Sequence, residues 1–325
     1  MAAGRSWRPQ SRIDGPFRAG VEDIPALNAV FSDAFTERYR RDGMVGVRVP
    51  NLNPKVWRYA IEDAAAGAML WRDGGQGDIA AFNMVHRSGA EGWMGPLAVR
   101  TELQASGTGK EVVERGIAWL RENGARVIGL ETMPRTMDNI GFYSALGFVP
   151  GHLTITLTVD AKGADDTPDL LGRMSLRDRE DALAAMRVLV DQMAPGYDFT
   201  REIELTDELS LGDTVLLREG DAIVGFALCH TASLVEGRAR EELRVLKLVL
   251  LHEDSFDPML RALCDFAKRS GTRRVALRVQ GEYTALYRRL VALGARVRWT
   301  DLRMSLDGHH ERRPSGGVLL SNWEI

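Results

Sequence analysis

Apolar residues recur at two spacings along the first 160 positions, and the switches between them mark the elements. Ile24, Leu27, Val30, Phe31 and Phe35 share one helical stripe within FRAGVEDIPALNAVFSDAFTERYRR. That stretch predicts a short strand, then a helix opening at Asp23 and Pro25. Residues 43–60 hold Pro50 and Pro54 and show no clear period, so no element is assigned there. GAMLWRD and DIAAFNMVHR predict two strands around the turn-rich GGQGD, and GWMGPLAV predicts a third. Val112, Val113, Ile117 and Leu120 give a second helix. RVIGL then reads as a strand, MDNIGFYSALGF as a helix ending at Gly147, and GHLTITLTV as a strand.

The second half repeats this order. MSLRDREDALAAMRVLV parallels the first helix, TVLLREGDAIVGFALCH the hairpin and LRVLKLVLL the long strand. MLRALCDFAKRSG, RRVALRV and TALYRRLVALGARV follow as helix, strand and helix. A repeat of this length is a duplicated domain. The acidic, Gly- and Pro-containing DAKGADDTPD is the linker candidate. The predicted organisation is an arm at 1–14, a first domain at 15–160, a linker at 161–170, a second domain at 171–308 and a closing segment at 309–325. That segment ends in GGVLLSNWEI, too apolar to stand free in water. It is expected to pack on the sheet of one domain or to cross to a partner chain, which leaves a homodimer open.

Composition narrows the classes. A chain of 325 residues suits two domains. A net charge of −3 implies no general nucleic-acid surface, and RYRR reads as a solvated helix face. Cys229 and Cys264 sit in apolar surroundings and read as inert thiols of a reducing compartment, so the cytoplasm is expected. No stretch approaches the length of a membrane span, and MAAGRSWRPQSRIDG lacks the long apolar core of a secretory signal. The six His and two Cys show no ligand spacing, so no metal is expected.

The chemistry concentrates in LAVRTELQASGTGK, Leu97 to Lys110. A strand crosses a glycine-rich turn into a helix, which aims bare amides and the positive helix end at an anion. Gln104 and Glu111 stand where a P-loop needs glycine and Ser or Thr. Val112 stands where a dinucleotide fingerprint needs a small residue. What fits is Q-x-x-G-x-G, as Gln104, Gly107 and Gly109. About thirty residues on, Tyr143 precedes Gly147 and Phe148 by four positions.

These two features, in this order, resemble the GNAT acyltransferases over roughly residues 15–160. The resemblance implies a mixed α/β fold of the α+β class, built as two tandem domains. Each would be a splayed, mostly antiparallel sheet flanked by helices. It implies acetyl-CoA as co-substrate. Gln104, Ala105, Ser106, Gly107, Thr108, Gly109 and Lys110 would hold the diphosphate, and Leu97, Ala98 and Val99 would pair with the pantetheine arm like an added strand. The Val99 backbone would donate to the thioester carbonyl, and Tyr143 would give a proton to the departing sulfur.

Asn139 lies one helical turn before Tyr143 and could bond the coenzyme or orient water. The family often has asparagine seven residues before the tyrosine; Thr136 stands here, either a shorter polar group or a helix N-cap. Two glutamates are candidate bases: Glu91, on the strand before the loop, and Glu131, at the end of the next strand. Trp93 would wall the cleft. Glu91, Glu131, and Asp33 or Glu37, would favour a cationic amine.

The second copy lacks the phosphate loop. LHEDSFDPM follows its long strand, and that acidic stretch would repel a diphosphate. The expected activity is acetyl transfer to a small-molecule or peptide amine, by direct attack in a ternary complex, in the first copy alone. Two alternatives stay open: a silent CoA-binding or sensing module, and transfer of other acyl groups.

Overall fold

The computed structural model describes residues 13–74, 77–162 and 167–324. The arm predicted at 1–14 is therefore mostly outside the described residues, as are parts of the GGQGD turn and of the linker. The first half runs β1 (Ile13–Arg18), α1 (Ile24–Arg41), α2 (Pro54–Ala64), β2 (Ala68–Asp73), β3 (Ile79–Ser88) and β4 (Glu91–Val99). It continues with α3 (Thr108–Glu122), β5 (Val127–Thr132), α4 (Met137–Ala145) and β6 (Phe148–Asp160). The second half runs β7 (Asp169–Leu170), α5 (Leu176–Met193), α6 (Thr200–Glu208), β8 (Gly212–Glu219), β9 (Ala222–His230) and β10 (Glu242–Leu250). Then come α7 (Phe256–Arg269), β11 (Arg274–Gln280), α8 (Thr284–Ala292), β12 (Arg296–Leu306) and β13 (Val318–Ser321).

Besides the two-residue β7, which falls in the predicted linker, three of these elements are absent from the sequence reading. Helix α2 starts in the stretch left unassigned: Pro54 occupies its first turn, where a missing N–H costs nothing, and the Asn53 side chain accepts from the Lys55 amide at 3.0 Å. Helix α6 is the second. Strand β12 is the third; Asp301 and Arg303 sit buried within it and break the expected alternation.

All strands join one sheet in the order β1-β2-β3-β4-β5-β12-β6-β11-β10-β9-β8-β7, with β13 added beside β10. The two halves exchange neighbours at the centre. β12, from the second half, lies between β5 and β6 of the first, antiparallel to both. β6 in turn pairs with β11 from Thr154 to Asp160.

Helices cover both faces. α1, α2, α5 and α6 share one apolar core with Trp93, Val127 and Trp323. On the other face, α3 and α4 pack on Met94, Val99, Ile128 and Leu130. α7 and α8 pack on a third cluster beneath the second half. No helix among the described residues is long and apolar enough to cross a membrane.

Candidate active site

The parallel strands β4 and β5 pair from Glu91–Val127 to Met94–Leu130 and then part. The separation begins at Gly95 and Pro96. Proline has no N–H to offer a neighbour, and the β3–β4 ladder shifts register at the same point. Beyond it, Leu97, Ala98 and Val99 keep β3 on one side only. The Arg100 amide donates to Ala80 O at 2.9 Å. By the alternation of an antiparallel ladder, the Val99 amide therefore points away from β3, into the gap. The sheet thus opens beside Leu97 to Val99.

The corresponding gap in the second half is filled. β10 pairs with β11 only over Glu242, Leu243 and Arg244. Lys247 to Leu250 then pair with Ser321 to Val318 of β13. The closing segment thus packs on the sheet of its own chain. Its side chains enter the cores on both faces, Leu319 on one and Val318 and Leu320 on the other.

The loop between β4 and α3 is held by its own side chains. Gln104 Nε2 donates to Val99 O at 3.1 Å, while its Oε1 accepts from the Arg41 guanidinium at 3.0 Å. Ser106 Oγ donates to Leu103 O at 2.6 Å and meets Thr108 Oγ1 at 2.8 Å. Gly107, with φ +94°, turns the chain into α3 and offers no side-chain cap. Glu111 is the first residue whose amide closes a helical bond, onto Gly107 O at 3.2 Å. The first-turn amides of Thr108, Gly109 and Lys110 have no helical carbonyl to bond, and they carry the positive end of the helix. A Cβ on Gly109 would find ordinary contacts, 3.5 Å from Phe142 and 3.9 Å from Val99. Packing therefore does not demand glycine there. Lys110 lies at the surface, 3.8 Å from Glu114.

Tyr143 sits on α4, on the same face as α3. Its ring packs against Phe142 and Phe148, with centroids 5.2 and 6.1 Å away. Burial pushes its phenol up to about 12, so it stays protonated at neutral pH. Asn139 is half-buried one turn earlier. Thr136 holds the N-cap position of α4 but makes no capping bond; its hydroxyl donates to Asp42 at 2.8 Å and ties α4 to the end of α1.

The two glutamates are placed differently from the expectation. Glu91 is fully buried. Its Oε1 accepts from Trp323 Nε1 at 2.8 Å, and its Oε2 from Ser321 Oγ at 2.7 Å, with Lys247 Nζ at 3.5 Å. Glu131 is also enclosed, and accepts from Thr154, Arg278 and Arg303. Burial alone would raise its carboxyl, but Arg278 and Arg303 outweigh that and hold it below the ordinary range. Trp93 is core, not cleft wall: it is buried and stacks on His86 at 4.0 Å. On α1, Glu37 is drawn down to about 2 by Arg40 and Arg41, and Asp33 pairs with Arg48 at 2.7 Å.

Sequence reasoning missed Glu324, Arg278, Asp301 and Arg303. The carboxylates of Glu131, Asp301 and Glu324 lie within 4.8 Å of one another, a spacing that could suit a cation. The Arg278 guanidinium already contacts all three. The legible signal was a charged residue at an inward strand position, as Arg278 is within RVALRVQ.

Residues 28–148 match the family model described as acetyltransferase (GNAT) family. No curated protein sequence matches the chain. Among solved structures, a Pyrococcus horikoshii protein assigned as an acetyltransferase aligns at 15% identity and TM-score 0.67, covering 99% of this chain and 98% of its own. A tandem GNAT protein from the clavulanic acid biosynthesis pathway aligns at 11% identity and TM-score 0.57, covering 93% and 100%. N-myristoyltransferase from Saccharomyces cerevisiae aligns at 9% and 0.61, covering 96% and 86%. At these identities the likeness is one of fold.

Proposed function

We propose, from the match of residues 28–148 to the GNAT acetyltransferase family model and from the likeness in fold to a tandem GNAT protein, that the first half moves an acetyl group from acetyl-CoA to a primary amine. One contrast carries the reading: the β4–β5 gap is open beside the bare amides of α3, whereas the β10–β11 gap is filled by β13.

Acetyl-CoA brings the thioester to be cleaved, and this chain's residues hold and polarise it. Gly107 to Lys110 bind the diphosphate through backbone amides. Leu97 to Val99 pair with the pantetheine arm, and the Val99 amide donates to the carbonyl oxygen as charge develops there. Tyr143 donates its proton toward the sulfur, and Asn139 orients the arm or a water beside it. The amine attacks directly in the ternary complex. Neither Glu91 nor Glu131 suits the role of base, because each is enclosed and its carboxylate is already committed to fixed donors.

Calorimetric titration tests the reading. One acetyl-CoA per chain is expected, abolished by bulky replacement at Gly107 and Gly109 together. No binding, or a second equal site, refutes it. Competition with myristoyl-CoA reports whether the gap accepts a longer acyl group.

A further inference from the structure

We propose that Glu324 is the carboxylate that receives the proton of the acceptor amine, an inference that rests on the first half being the acetyl-transferring site. The phosphate loop and Tyr143 belong to the face covered by α3 and α4. A thioester threaded through the β4–β5 gap presents its carbonyl to the opposite face, which α1 and α2 cover. The segment after β13 lies on that face.

Trp323 anchors it. Its indole lies across Gly129 of β5, where a Cβ would come within 2.1 Å of the ring. Its N–H reaches Glu91 of β4, and the Arg303 guanidinium covers its other side at 3.4 Å. Its carbonyl oxygen stands 3.9 Å from the place a Cβ on Gly95 would take, at the point where β4 leaves β5. Glu324 is the next residue. It is thereby carried to the mouth of the gap by a rigid aromatic wedge.

Of the three clustered carboxylates, only this one is accessible. The Glu324 side chain is 48% exposed, against 2% for Glu131 and 5% for Asp301. Five titratable groups face it: Arg278 from β11, Asp301 from β12, Glu131 from β5, Arg244 from β10 and Tyr39 from α1. Loss of water around the carboxyl raises it to about 7; Asp301 and Glu131 add to the rise, while Arg278 and Arg244 oppose it. A carboxylate so poised takes a proton from an ammonium more readily than one at the ordinary value.

Beside it, Tyr39 and Trp299 face each other at 6.2 Å, and Trp299 Nε1 donates to Asp301 at 3.0 Å. Carboxylates and aromatic faces together suit a cationic amine. The step balances. The ammonium gives one proton to Glu324, and the neutral nitrogen forms a C–N bond as the C–S bond breaks. The second nitrogen proton is released, and Tyr143 supplies one to sulfur and is reprotonated. One proton goes to water overall.

The test compares wild type with Glu324→Gln, using acetyl-CoA with spermidine, tyramine and lysine amide as acceptors. The variant is expected to bind acetyl-CoA within about twofold of wild type, to lose roughly 10²-fold in kcat, and to lose the acid limb of the pH profile. An unchanged rate and profile overturns the assignment. A difference infrared titration of wild type against the variant needs no acceptor. A carboxyl band titrating near 7 is expected, and one near the ordinary 4.5 overturns it. Failure of the wild type to bind acetyl-CoA at all overturns instead the reading of the first half.

Discussion

Trp323 and Gly129 fit each other as ring and bare backbone: a Cβ on Gly129 would lie 2.1 Å from the indole, inside any real contact distance. The two residues come from opposite halves of the duplicated chain, and the contact sets where the β4–β5 gap is bounded. Gly129→Ala is expected to push the ring out and cost about 1–3 kcal/mol of stability. Trp323→Ala is expected to cost about 3–5 kcal/mol. Because both act on one contact, the double variant should cost clearly less than the sum, as denaturant titrations of the four proteins would show.

Tyr143→Phe separates an enzyme from a silent coenzyme-binding module. The phenol is held near 12 and packs on carbon alone in Phe142 and Phe148, so the variant keeps its fold. Acetyl-CoA affinity is expected to hold within about threefold, while thiol release falls roughly 10²-fold. A variant that turns over like wild type would remove the phenol from the mechanism.

The two loop glycines should answer differently. Gly107 has φ +94°, so Gly107→Ala is expected to cost about 1 kcal/mol of stability or more. Gly109 lies within α3 with ordinary space for a methyl group, so Gly109→Ala should raise stability by up to about 1 kcal/mol. On the proposed reading the same methyl crowds the amides that would hold the diphosphate, so acetyl-CoA affinity should drop about tenfold or more. Calorimetry and thermal melts on the two variants give both readings.

Glu202 predicts a pH dependence. Burial lifts its carboxyl from the ordinary 4.5 to about 7, although Lys247 pulls it down. Between those values the folded chain keeps a proton that the unfolded chain has released. Its share of stability is therefore present below 4.5 and is lost as pH rises toward 7. Glu202→Gln removes this titration and should gain on wild type across the window, by roughly 3 kcal/mol at most. Urea titrations at the two ends of the window check the sign.

Much of the first half could be read from residues alone. The stripe from Ile24 to Phe35, the alternating strands and the Gln104–Gly107–Gly109 turn each depend on neighbours close in sequence. The strand exchange could not be read that way. Period two tells which face a side chain takes, not which strand lies beside it. β12 was hidden because Asp301 and Arg303 point inward to partners on β11 and β5. Glu91 and Glu131 lie on the strands expected, but both are enclosed among fixed donors. The groups that occupy them, among them Trp323, Lys247 and Arg278, lie far along the chain.

The insertion of β12 between β5 and β6 also bears on how the molecule is made. Until Arg296–Leu306 leaves the ribosome, the nascent first half exposes the unpaired border of β5, an open invitation to aggregation. The copies share strands across one sheet, so either half taken alone would present edges that its neighbour now covers.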